Sequence, residues 1–155
     1  MAKMGLSVRD DPKKVVDVAG RQWGEPVDGL ALSVLLTPKQ DKQDNQELLT
    51  VSVAIHNRTA QERRLTTRGW LNFFRVAVAG PDGSAVALTP YGRELMKPER
   101  QPAPSEVALA AGAAVEADIP IGSVFQMRRG TYRVKATCDA PGGGLVASNE
   151  ILVEV

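Results

Sequence analysis

Cysteine, histidine and aromatic residues are all scarce in this chain, and each scarcity removes a class of function. A single cysteine, Cys138, excludes an internal disulfide framework and every multi-cysteine metal site. A single histidine, His56, excludes two-histidine zinc sites and leaves any Ser-His or Cys-His dyad one base to use. Aromatics make up 5% of the 155 residues, fewer than a sugar-stacking face spends. Charge of one sign is missing as well. Nineteen Lys+Arg against 18 Asp+Glu leave a net +1, which argues against a polybasic nucleic-acid binder and against an acidic disordered tail. No apolar run reaches the roughly 18 residues of a membrane-spanning helix. The start, Met1-Ala2-Lys3-Met4-Gly5-Leu6-Ser7, lacks the continuous apolar stretch of a signal peptide. A native Met1 implies a cytoplasmic protein; a trimmed signal would imply a periplasmic or extracellular one.

What is present is alternation of period two, the mark of half-buried strands. Leu30, Leu32, Val34 and Leu36 make one face of a first strand, which ends at Thr37-Pro38 before a charged loop over 39–46. Leu49, Val51, Val53 and Ile55 point inward in a second, with Thr50, Ser52, Ala54 and His56 outward. Phe74, Val76 and Val78 form a third. Gly80-Pro81-Asp82-Gly83 turns the chain into a short return strand over 84–89. Pro90, Pro98, Pro102 and Pro104 then predict a long loop over 90–106 with one helical turn near 94–97. Val115, Ala117, Ile119 and Ile121 resume the pattern, with Glu116 and Asp118 outward and expected to be solvated. A helical turn is expected over 122–129. Tyr132, Val134, Ala136 and Cys138 give the clearest strand, a glycine-rich turn follows over 139–144, and Ile151, Val153 and Val155 close the chain. About seven strands without a sustained helical period predict an all-β, antiparallel β-sandwich. The length suits one domain over 21–155, with 1–20 as an N-terminal arm.

At Gly130-Thr131-Tyr132-Arg133-Val134 the chain resembles the tyrosine corner of immunoglobulin-like sandwiches. Leu109-Ala110-Ala111-Gly112 is similar to the turn before the middle strand of bacterial immunoglobulin-like domains. Asn57, Gly83 and Ser148-Asn149 fit the same pattern, and Trp23-Gly24-Glu25 with Gly29-Leu30 looks like the lead-in of exported bacterial proteins of this kind. The layout is more distantly similar to the BsuPI-type intracellular proteinase inhibitors. That resemblance implies an immunoglobulin-like sandwich and, as an alternative function, proteinase inhibition through the 90–106 loop. It places no inhibitory contact residue.

Candidate chemistry is sparse. His56, at the outward end of its strand, is the one possible general base, and its sequence neighbourhood offers only Glu62. Cys138 falls on the inward phase, where burial makes a thiol inert. The 139–144 turn precedes a strand and lacks a Gly-Lys-Ser/Thr ending, so it is no phosphate cradle. No cofactor is implied. Asn57-Arg58-Thr59 matches the glycosylation tripeptide, a pattern common by chance. Trp23 reads as a cap over one end of the core. The basic stretch is the best candidate: Arg58, Arg63, Arg64 and Arg68, read as one loop ending at Gly69-Trp70. Immunoglobulin connections would bring that loop to the same end as 90–106, which adds Tyr91 and Arg93, and as 139–144. Arginine beside aromatics is the composition of interaction surfaces. The expected function is therefore a non-enzymatic binding or accessory module for a protein partner, acting through these loops or a free sheet edge.

Overall fold

A computed structural model describes residue 16 and residues 18–37 and 49–155. Most of the arm read over 1–20, and the charged loop over 39–46, lie outside these residues. Among the described residues the fold is nearly all β, with nine strands in antiparallel sheets and three short helices. The strands are β1 Leu30–Leu36, β2 Val51–Asn57, β3 Arg63–Thr67, β4 Arg75–Ala79, β5 Ser105–Leu109, β6 Ala114–Ile119, β7 Thr131–Asp139, β8 Leu145–Ala147 and β9 Ile151–Glu154. The helices are α1 Trp70–Phe73, α2 Pro90–Leu95 and α3 Ile121–Val124. No helix among the described residues is long and apolar enough to cross a membrane.

One sheet has the order β1-β2-β6, a second pairs β3 with β5, and the third centres on β7. In the third, β4 lies on one edge of β7 while β8 and β9 share the other. Inward side chains of all three sheets meet in one core: Leu32, Val53 and Ile119 from the first, Leu65 and Leu109 from the second, Val134 and Val146 from the third. This architecture is compatible with a β-sandwich.

Three differences from the expected strand list have identifiable causes. Residues 84–89 make isolated bridges only, Ala79 with Ala85 and Leu88 with Phe125, and form no strand. The reason is Thr89-Pro90. The Thr89 hydroxyl accepts from the Gly92 N–H at 2.9 Å while Pro90 presets the first helical dihedral, so the chain starts α2 earlier than the turn expected at 94–97. The 90–106 stretch is accordingly not a free loop: α2 is tied to α3 by the Thr89 N–H on the Val124 carbonyl at 2.9 Å, and β5 begins at Ser105. Finally β3, read as loop, is a strand because β5 supplies a partner for residues carrying a single large apolar side chain, Leu65.

The Tyr132 corner forms. Its hydroxyl accepts from the Arg128 N–H at 2.6 Å and donates to the Arg128 carbonyl at 2.9 Å. Asn57 is fully buried and is no acceptor for a glycan. Its Nδ2 donates to the carbonyls of Gln61, Leu109 and Ala110, and its Oδ1 accepts from the Thr59 N–H, so it ties the end of β2 to the end of β5.

Part of the outer face of the β1-β2-β6 sheet is covered, contrary to the alternation, while Leu35 and Asp118 on it are exposed. Ala31, Ser33, Ser52 and Ala54 are all buried beneath a segment that folds back before β1. Asp28 and Gly29, both at positive φ, form a two-residue turn that pairs Val27 with Leu30. Gly24 then donates to the Leu32 carbonyl at 2.9 Å. Only glycine fits there, because a Cβ would fall 2.0 Å from the Ala147 carbonyl oxygen. Further along, Asn149 donates to and accepts from the Val34 backbone through its side-chain amide, standing in for a neighbouring strand. The exposed edge of β1 is thus sealed by its own chain.

Arg21 enters this covered face. Its Nη1 lies 2.9 Å from Glu116 Oε1, and its side chain is 5% exposed against 16% for Glu116. It also donates to the Ser33 hydroxyl, the Ser52 hydroxyl and the Ser52 carbonyl. Glu116, expected to be solvated, is instead half-buried in an ion pair.

Candidate functional site

The basic candidates divide between two ends of the molecule. The β2 register, pairing His56 with Ala114 and Val51 with Ile119, sets Asn57 at one end and α3, which follows β6, at the other. Arg63, Arg64 and Arg68 belong to the first end, while Tyr91 and Arg93 sit on α2, against α3, at the opposite one. Tyr91 is exposed, and Arg93 donates to the Leu88 carbonyl at 2.9 Å. The expected meeting of 90–106 with the arginine stretch therefore holds for Gln101, Pro102, Ser105 and Glu106, and not for Tyr91 and Arg93. Trp70 is not a surface residue. It is 1% exposed and stacks on Phe74 at 5.1 Å, with Phe73 edge-on at 5.3 Å. Arg58 is exposed beside the Asp28-Gly29 turn, its N–H donating to the Gly29 carbonyl at 2.8 Å.

What the first end does form is a groove of about 540 Å³, lined by Arg64, Leu65, Thr66, Thr67, Arg68, Asn72, Phe73, Arg75, Gln101, Asp139, Ala140 and Pro141. Its construction follows from the local sequence. The Asn57 hub launches β3, and Gly69, at φ 99°, turns the chain out of β3 into α1. That turn sets Asn72 and Phe73 beneath the strand. The opposite wall is the end of β7 and its following turn.

Asp28 clasps the two walls. Its carboxylate accepts from Arg63 Nη2 at 2.8 Å and from the Gly142 N–H at 2.9 Å, while Arg63 Nη1 reaches the Asp28 carbonyl at 2.7 Å. The Arg63 hydrogen bond first, then that of Gly142, holds the carboxyl below its usual range. Within the groove Arg75 pairs with Asp139 at 3.1 Å, while Arg64 pairs outside it with Glu106 at 3.2 Å and Glu62 at 3.7 Å. Arg68 has no acidic partner among the described residues; its Nε donates to the Pro102 carbonyl at 3.2 Å. The Thr67 hydroxyl is buried without a hydrogen-bond partner. Sequence reasoning missed Asn72, Phe73, Arg75 and the Asp28 clasp. The Asp-Gly dipeptide before β1 was the available sign of the clasp, since that pair favours a two-residue turn.

His56 occupies a different setting. Its ring lies 5.4 Å from that of Trp23, which also carries the Arg21 guanidinium 5.9 Å over its face. Trp23 donates to the Val18 carbonyl at 2.9 Å, so it covers the sheet and not an open end of the core. Burial pushes the imidazole below its ordinary value, Arg58 adds to this, and a hydrogen bond with the Gly112 backbone opposes it. The unfolded chain therefore takes up the proton first as pH falls. The stabilising effect of a neutral His56 is complete above about pH 6.5 and is lost as pH drops through the lower folded value. Thermal melts between pH 7.5 and 5.5 are expected to show a decline that a His56→Gln chain lacks; parallel declines in both chains would refute the assignment.

Among the described residues no group of three His, Cys, Asp or Glu side chains could hold a metal ion. No protein-family model matches the chain, and no curated protein matches it significantly.

Proposed function

We propose that the protein is a non-enzymatic binding module for a protein partner, and that the groove between β3 and the 139–141 turn is its binding surface. The observation that carries this reading is the lining itself. Three guanidiniums, Arg64, Arg68 and Arg75, stand around a half-buried aromatic, Phe73, in a concave site held open by a clasp between its walls. Arginine around an aromatic floor is the composition of interface hot spots. A rigid frame lowers the ordering cost of association. In this reading the sandwich is immunoglobulin-like, on the strength of the Tyr132 corner, and serves as the scaffold.

The test is site-directed photocrosslinking in native extract, with the reactive group placed at Thr66 in the groove or at Thr131 at the far end of β7. Discrete adducts from Thr66, absent from Thr131 and lost on Arg64→Glu with Arg68→Glu, are the expected result. Equal, scattered adducts from both positions would overturn the reading.

A further inference from the structure

Four consecutive residues of β3, 64–67, and Arg68 directly after it line the groove. Side chains of a strand alternate between faces, so a wall containing both phases is the edge of the strand and not one of its faces. β3 pairs with β5 on one side, and among the described residues no strand pairs with its other side. The edges of β1 and β4 are treated differently. That of β1 is sealed by Gly24, Val27 and Asn149, and that of β4 is partly covered by residues 84–86, through the Val86 N–H on the Val78 carbonyl at 2.9 Å. The edge of β3 instead opens onto a concavity.

The charge of that concavity selects what fits. Its lining carries Arg64, Arg68 and Arg75 against one carboxylate, Asp139, which Arg75 already engages. Arg64 is held only by exposed pairs with Glu106 and Glu62 at the rim, and Arg68 has no acidic partner among the described residues. Arg64 and Thr66 are the exposed phase of β3, and the exposed Arg68 follows directly after the strand. A strand laid alongside would present its own alternate residues to them at matching intervals.

We propose that the groove takes an acidic, extended peptide segment that adds to the free edge of β3 as a further strand. Backbone hydrogen bonds to β3 supply the affinity, and carboxylates at alternate positions meet Arg64 and Arg68 to supply the specificity. This rests on the groove being the binding surface. The competing account is that Arg64 and Arg68 only protect a bare edge from aggregation.

The experiment is a fluorescence-anisotropy titration of the full chain with a labelled peptide of alternating Val and Glu, about eight residues long. Alongside it run the Val/Lys counterpart and a Val/Glu peptide N-methylated at alternate backbone nitrogens. The acidic peptide is expected to bind at least about tenfold more tightly than either. Arg64→Gln with Arg68→Gln should weaken it by about tenfold, while Arg133→Gln with Lys135→Gln, on the outward face of β7, should leave it unchanged. Equal binding of the N-methylated peptide would overturn strand addition, and equal binding of the basic peptide would overturn the acidic preference. If no peptide binds while Thr66 still gives discrete crosslinks, the proposed occupant is wrong and the binding surface stands. Absence of both would remove the surface too.

Discussion

An Arg21→Ala chain is expected to lose about 3–5 kcal/mol of stability, the cost of removing one partner of a buried ion pair. The guanidinium is 5% exposed and serves four acceptors at once: Glu116, the Ser33 and Ser52 hydroxyls, and the Ser52 carbonyl. Burial draws the Arg21 pKa down, and the nearby Glu116 charge opposes this. The group nonetheless stays charged, since arginine does not release its proton in proteins. Truncation takes the compensating cation from Glu116 and strips donors from two buried serines. Arg21→Lys recovers only part of the loss, because a point-like ammonium cannot reproduce a planar fork that reaches three residues. Replacing the pair together, Arg21→Met with Glu116→Leu, should cost less than the sum of the single changes, since no buried charge is left behind. Urea unfolding of the parent, Arg21→Ala, Arg21→Lys, the double variant and its two single components measures all of this. A loss below about 1 kcal/mol for Arg21→Ala would place the pair in the class of surface bridges and would mean that the segment before β1 does not cover the sheet.

Trp70→Ala is expected to cost a similar amount, about 3–5 kcal/mol, by opening a large cavity in the core. Trp70 is held between Phe73 and Phe74, with ring centroids at 5.3 and 5.1 Å. Trp70→Phe should be far milder than the volume change suggests. The indole Nε1 is buried without a partner, so the substitution also removes an unmet donor. Thermal melts of the two variants give the comparison. A Trp70→Ala chain that melted normally yet lost its crosslinked partner would show the residue to be a contact, and the core placement would be wrong.

Trp70 also shows where sequence reading reached its limit. Next to a run of arginines it resembles an interface anchor, and nothing local reveals that Gly69 turns it inward. β3 escaped for a related reason: Arg63-Arg64-Leu65-Thr66-Thr67 carries one large apolar residue, and its strand state depends on β5, some 40 residues away in the chain. Alternation succeeded where both phases are distinct, as in β7, with Tyr132, Val134, Ala136 and Cys138 buried and Arg133 and Lys135 exposed. It misled on the β1-β2-β6 sheet, where an outward phase was equated with solvent. A sign of cover was available, since Ala31, Ser33, Ser52 and Ala54 bear no charge, unlike the outward residues of β7. The groove was legible in its arginines at 64 and 68. Its opposite wall was not, because it depends on how β7 and β3 approach one another.

Cys138 gives the fold a clock of its own. The thiol is completely buried, and burial pushes its pKa up to about 12. A sulfur both shielded and protonated is closed to alkylating reagents until β7 separates from β4 and β8, so each trapping event counts one opening of that sheet. With no second cysteine to compete, the trapping rate in dilute reagent reports how often the centre of the molecule comes apart under conditions where it is folded. Occupation of the groove, whose wall begins at the neighbouring Asp139, would register there as a slower rate without any label on the exposed lining.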